Sequence, residues 1–529
     1  MATETTGQPA EVKPFPPVFW SANVIELLER AAYYSMMSFL VIYLGQLGFG
    51  NYWPSFLSSS VLWFLVFFLP ILSGTIADQI GFRKALLAAF VLLAAGYFLM
   101  GYPVWFGGSP LEATIHNEVT VGLRDAVVIV SAILLIGIGG SVIKPCISGT
   151  VQKTAGAIGR ATKGFAIFYM VINIGSLFGR GTAFVVRNGS GVGTVVAVVG
   201  VLSLAAFVIV MLVRSTTKAN RTRADIWVAT AGFTITVVLA AAAVAWIYNA
   251  GAAERAGAAS LSYIFAVSTV ASMVAFLAVL LFYREPAVEA NPAKPKRSVG
   301  RILLDMVLVL RSGRFSLYLV VMSGFYFIYN QVYNVIPLYV KRTVEADPAM
   351  DLYTAANPLI IVCFQLILSN AFGKVKPIRS MVVGTVIISV AMAINMWPIY
   401  ASGGPQAIVA NWLPLGSVFV ILAFSLIALG ELFTSPRMYE YIGALAPKGQ
   451  EGLFLGYANL PLALGALVSG WVGAVIFNEV MAKGAITRPD GLLELVPANN
   501  MAGWAILTAI GLVSAASLWL FNLWLERQR

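Results

Sequence analysis

Glu26-Leu-Leu-Glu29-Arg30-Ala-Ala-Tyr33-Tyr34 interrupts an apolar run from about Pro17 to Leu44. On a helix, Glu26, Arg30, Tyr33 and Tyr34 fall at i, i+4, i+7 and i+8 and share one face, with Glu29 at its edge. If that helix spans a bilayer, two carboxylates and a guanidinium lie at membrane depth. A charge there costs about 2.5–3.5 kcal/mol on insertion scales, so it faces a water-filled cavity or a partner. One reading is an ion pair that only locks helices together. The other is a functional site, and it is favoured because charges at similar depth recur along the chain.

The composition supports the bilayer. The 529 residues are 59% hydrophobic and 11% charged, against about 25% charged in a soluble domain. Apolar stretches long enough for a core roughly 30 Å thick recur from end to end. Fourteen are read, near 18–44, 55–77, 84–102, 125–150, 163–186, 193–213, 225–249, 259–283, 315–340, 355–373, 378–400, 413–434, 451–478 and 501–525. A β-barrel would show short alternating segments instead. The net charge of +11 sits mostly in short connecting loops, so it reads as topology and not as a nucleic-acid partner. With the start placed inside, 24 of the 34 Lys and Arg fall inside and 8 outside, while Arg30 and Lys144 lie within the membrane. That bias predicts an inner-membrane protein with both termini cytoplasmic. Cys146 and Cys363 make no disulfide framework, and the single His116 excludes a multi-His metal site. The first 17 residues are polar and Pro-rich, without a signal-peptide pattern.

Two loops repeat at matching places. Gly74-Thr-Ile-Ala-Asp78-Gln-Ile-Gly81-Phe-Arg83-Lys84 follows the second span, and Gly373-Lys-Val-Lys376-Pro-Ile-Arg379 follows the tenth. The first resembles the signature loop between helices 2 and 3 of the major facilitator superfamily, and the second is a weaker echo in the other half. The opening stretch then resembles the helix-1 motif of the proton-dependent oligopeptide transporter family. Further segments resemble that family in order: Gly139-Gly-Ser-Val-Ile-Lys144-Pro145-Cys-Ile-Ser148, Phe168-Tyr169-Met-Val-Ile-Asn173-Ile-Gly175-Ser176-Leu177, Asn357-Pro358, and Gly430-Glu431-Leu-Phe-Thr-Ser435-Pro436 with Leu445-Ala-Pro447.

The resemblance implies an all-α polytopic membrane protein of the major facilitator fold, with two six-helix bundles plus two extra helices. The expected organisation is a tail over 1–17, a first bundle over 18–213, two additional helices over 214–283, a linker over 284–314, and a second bundle over 315–529. The additional helices would be roughly 225–249 and 259–283. The linker starts Pro-rich. Its second part, Val299 to Arg311, places Ile302, Leu303, Met306, Val309 and Leu310 opposite Arg301 and Asp305. That reads as a helix on the membrane surface or as a plain connector.

The residues make chemical sense by themselves. Arg30 and Lys144 are fixed cations suited to a substrate carboxylate, one as a bidentate fork and the other as a point charge. Glu431 is a lone acid in an apolar helix and suits an ammonium. Asn173 and Asn357 both donate and accept, which suits a peptide group, with an interhelical bond as the lesser alternative. Tyr33, Tyr34 and Tyr169 offer an apolar body with a polar tip. A chamber cationic on one side and anionic on the other matches a short zwitterion. Lys144 and Glu431 are alternatively an inter-half salt bridge, and the resemblance implies that they also gate, with Pro145 and Pro436 as bending points. Glu26 and Glu29 beside Arg30 are the expected proton-coupling groups, protons being the coupling ion and no other cofactor being expected.

Departures from the family's pattern stand out. Met37 and Asn330 occupy places where the family carries an Arg and an acid, so both members of one charge pair are missing together. Ala31 replaces a Phe, and Gln365 and Leu366 stand where a small residue and Pro are usual. The leading expectation is proton-driven uptake of di- and tripeptides, with another small zwitterion or organic anion as the alternative. A transporter that has lost coupling, and a non-transporting receptor or enzyme, are the further rivals. Against an enzyme, the chain has no zinc-ligand spacing, P-loop or Gly-x-Ser-x-Gly. The partners expected are a small-molecule substrate and the lipid bilayer, and the oligomeric state is not readable.

Overall fold

The computed structural model describes residues 14–109, 111, 121–158, 160–188, 261–286, 298, 300–301, 304, 308, 310–372, 375–409, 413–445 and 457–527. The spans read near 193–213 and 225–249, most of the expected surface helix, and Ala446-Pro447 lie outside these residues. The long helices are α1 (Pro17–Met37), α2 (Trp53–Ile80), α3 (Phe82–Trp105), α4 (Leu123–Ala155), α5 (Ala161–Asn188) and α6 (Tyr263–Phe282). They continue with α7 (Gly313–Val344), α8 (Met350–Ala371), α9 (Pro377–Tyr400), α10 (Leu415–Leu445), α11 (Tyr457–Met481) and α12 (Pro497–Arg527). Ten of the described helices are long and apolar enough to cross a membrane.

Packing partners repeat at an offset of six. In the first half α1 packs on α5 and α6, and α3 packs on α4 and α6. In the second half α7 packs on α11 and α12, and α9 packs on α10 and α12. The two bundles then meet where α5 lies on α8 and where α2 lies on α11. Parallel repeats of this kind place a shared site at the seam between the halves.

This packing bears on one sequence boundary. Tyr263–Phe282 was expected as the second additional helix, yet it holds against α1 and α3 the place that α12 holds against α7 and α9. Among the described helices it takes the sixth place of the first bundle, while 193–213, to which the sequence reading gave that place, lies outside the described residues. Hydropathy shows that a stretch can cross a bilayer but not which neighbours it will find.

The charged loop between α2 and α3 shows how α6 is locked in. Gly81 turns the chain with φ +92, open to glycine at no steric cost. The Glu285 carboxylate, just past α6, accepts from Phe82 N at 2.6 Å at the start of α3. An acid at a helix N-terminus satisfies orphan N–H groups and opposes the helix dipole. Arg83 Nη2 donates to Leu280 O at 2.9 Å, and Lys153 reaches Asp78 at 3.8 Å. The second-half echo behaves alike, since Lys376 and Arg379 both pair with Glu526 of α12.

Candidate functional site

Glycines bring α1 against α5. A Cβ at Gly175 would sit 2.7 Å from Leu27 O, and one at Gly179 would sit 2.3 Å from Ala31 O. Only bare backbone permits that approach, and it sets the Glu26–Tyr34 face beside Asn173. Arg30 Nε then meets Glu26 Oε1 at 3.2 Å and bonds to Glu29. All three side chains are buried. Glu26 Oε2 and Glu29 Oε1 have no hydrogen-bond partner. Two carboxylates thus share one guanidinium, which leaves one negative charge uncompensated unless a proton neutralises it.

Lys144 is half-buried, with Nζ 5.5 Å from the Phe67 ring centroid. Pro145 packs on Gly74 of α2, and Ser148 Oγ donates to Lys144 O at 2.7 Å. Across the seam, Gly430 allows α10 to approach Gly384 O within 2.7 Å of a would-be Cβ, which holds Glu431 at the centre. The neighbours of Glu431 are Tyr329 and Asn357, and its Oε2 lacks a partner. Lys144 and Arg180 lie within electrostatic range of Glu431. No Lys144–Glu431 contact forms within 4 Å, so the pair expected to gate is apart in this structure.

The remaining predicted residues fall into two groups. Tyr34, Tyr169, Asn173 and Asn357 gather near Glu431, with Tyr169 neighbouring both Glu431 and Tyr34. Asn173 spends its amide on Tyr169 O at 2.9 Å. Tyr33 is buried between Arg30, Tyr34, Tyr97 and Tyr333, with its hydroxyl unpartnered. Pro436 is exposed and lines a separate hollow of the second bundle with Leu368, Phe372, Leu432 and Arg437, away from Lys144.

The sequence reading missed several residues at the centre. Tyr329 and Tyr333 of α7 complete the aromatic cluster around Glu431. Arg180, one of the eight cations counted outside although its place could be the outer half of its helix, is 1% exposed between the bundles. Its signal was available, because 180 lies seven residues past Asn173 and therefore on the same helical face.

The bundles are joined at the end away from the basic loops. Arg187 of α5 meets Asp347 at 3.1 Å and Asp351 of α8 at 3.4 Å. Arg342 Nη2 donates to Asn51 Oδ1 at 2.7 Å, and Ser59 Oγ donates to Asn334 Oδ1 at 2.9 Å. Among the described residues, the ion pairs of Arg187 are the ones that cross between halves. Those at the basic end each stay within one bundle. The missing family pair leaves Met37 buried and Asn330 bonded to its own helix at Tyr326 O, 3.1 Å away.

Two six-helix bundles around a polar centre, sealed at one end, define a secondary transporter of the major facilitator fold. Residues 83–487 match the POT family, and the chain belongs to that family, whose members are transporters and not enzymes. The dipeptide and tripeptide permease B of Yersinia enterocolitica is 24% identical over 88% of this chain and 87% of its own. The dipeptide and tripeptide permease A of Klebsiella pneumoniae is 25% identical over 91% and 87%. A crystal structure of a peptide transporter POT in complex with sulfate shares the fold with a TM-score of 0.60 at 19% identity, covering 98% of this chain and 97% of that one. A POT family transporter in complex with 5-aminolevulinic acid gives 0.60 at 17% identity, covering 95% of each.

Proposed function

We propose that the chain takes up di- and tripeptides together with protons by alternating access. One observation carries this reading. A cation on the first bundle and a carboxylate on the second, Lys144 and Glu431, stand near each other without touching, among polar groups from both bundles. That leaves both free for the opposite ends of a zwitterion. Lys144 takes the terminal carboxylate, Glu431 takes the ammonium, and Asn173, Asn357 and the tyrosines line the peptide between them. The permease names of the relatives support peptides as cargo.

Glu26 and Glu29 carry the proton in this reading. Arg30 balances one carboxylate, so binding a substrate anion near Arg30 and Lys144 changes how strongly the other holds its proton. Protons are the coupling ion and no further cofactor is required. In this reading the protein lies in the inner membrane, and the positive loop bias supports both termini being cytoplasmic, with the end held by Arg187 facing outside.

The test is uptake by reconstituted vesicles under an imposed proton gradient, comparing dialanine, trialanine and simple carboxylates. Peptides accumulate in the wild type, and Lys144→Ala and Glu431→Gln each lose that accumulation. If carboxylates alone accumulate and Glu431→Gln is silent, the peptide reading is wrong. A second reading, a different small zwitterion, draws on the neighbour solved with 5-aminolevulinic acid. It is decided by the same assay with that class of compound.

A further inference from the structure

Arg180 is a buried guanidinium whose bonds all go to neutral groups. Its Nε donates to Thr354 Oγ1 at 2.9 Å, and Nη2 donates to Tyr333 OH at 3.3 Å. Nη1 donates to Ser176 O at 3.3 Å and to the Ser176 hydroxyl. Its Cζ lies 4.8 Å from the Tyr34 ring centroid. Thr354 and Tyr333 belong to the second bundle, so the side chain reaches across the seam. Among the described residues no carboxylate comes within 4 Å of it, whereas Arg30 and Arg187 each have two. A buried charge without a counter-ion is costly, and one held only by neutral groups at the seam between the bundles invites an anion.

The charge tally gives that anion a source. Arg30, Lys144 and Arg180 oppose Glu26, Glu29 and Glu431. A proton on either member of the Glu26–Glu29 pair leaves the centre one positive charge in excess. A peptide with neutral side chains brings none to balance it, because its carboxylate and ammonium cancel. Resting on the reading above, where Lys144 and Glu431 take the two termini, Arg180 is left for a further group. We propose that Arg180 binds a second carboxylate of the substrate, so that the chain prefers di- and tripeptides with an acidic side chain. The position fits, since Arg180 stands two helical turns beyond Asn173 and Thr354 one turn before Asn357, just past the groups that line the peptide.

The test uses the full chain in vesicles, with labelled dialanine uptake competed by Ala-Glu, Ala-Gln and Ala-Lys. Ala-Glu and Ala-Gln match in shape and differ in charge. In the wild type, Ala-Glu competes at about a tenfold lower concentration than Ala-Gln, the worth of one charge-assisted hydrogen bond. Arg180→Gln brings that ratio to about one, whatever it does to the overall rate. A purely structural tie between the bundles would lower the rate and leave the ratio alone. A wild type without the preference, or a ratio unchanged in Arg180→Gln, overturns the proposal. If Arg180→Gln does not fold, Arg180→Lys decides, because it keeps the charge but loses the fork and must still lower the ratio. Thermal protection of the purified protein by glutarate separates the two readings. If no peptide is carried but glutarate protection is present and is lost in the Arg180 variant, the peptide reading falls and the anchor stands. If neither occurs, the anchor falls too.

Discussion

Glu26 and Glu29 compete for one guanidinium, and the outcome depends on a proton. If Glu29 holds that proton, Glu29→Gln fixes the neutral form. Accumulation of dialanine against its gradient then stops, while exchange of labelled for unlabelled dialanine across the vesicle continues. Loss of both, or of neither, removes Glu29 from the coupling step. Gly175 and Gly179 are equally sharp at this scale. A methyl at either meets α1 backbone, which side-chain motion does not relieve. Gly179→Ala therefore destabilises by about 1–3 kcal/mol, read as an earlier unfolding midpoint of the purified protein. An unchanged midpoint would mean that α1 and α5 do not touch there. The charged residues were legible in the sequence because each stands out in apolar surroundings. Arg180 was legible as a charge and left open in depth, since a span's edges cannot be fixed to within a turn from hydropathy alone.

At the scale of helices, the seal at the end away from the basic loops rests on Arg187 of α5 and Asp351 of α8. Arg187 is 7% exposed and Asp351 fully buried, whereas Asp347 is 82% exposed and screened by solvent. Removing one partner of a buried pair costs more than removing an exposed one. Asp351→Asn should therefore open this end and Asp347→Asn should not. Spin labels on Leu123→Cys and Ile486→Cys, exposed near this end of the first and second bundles, would report it. The expected result is a shift to longer distances with Asp351→Asn alone. Equal behaviour of the two variants would show that Arg187 is not the latch. The absence of a charge pair at Met37 and Asn330 was read directly. The contact of Arg187 with Asp351 was not, because they are 164 residues apart and nothing local links them.

For the whole molecule, the decisive matter is which helix completes the first bundle. With Tyr263–Phe282 as α6, the apolar stretches 193–213 and 225–249 come between α5 and α6 in the sequence, α5 ending at the Arg187 end of the bundle. That end is common to both flanking helices, since Arg187 lies beside Asp347 and Ser262 accepts from Trp105 Nε1 at 3.0 Å at the end of α3. Two deletions therefore have opposite fates. Joining Asn188 to Leu261 through a flexible linker of about twelve Gly and Ser residues keeps α6, and the chain should remain monodisperse in detergent and retain dialanine uptake. Deleting 225–283 removes what the sequence alone would take for the additional helices. It also strips α6 from α1 and α3 and frees Glu285 from the start of α3, so this chain should aggregate. If the second deletion folds and the first does not, the sixth place belongs to 193–213 after all, and the packing described for Tyr263–Phe282 is wrong.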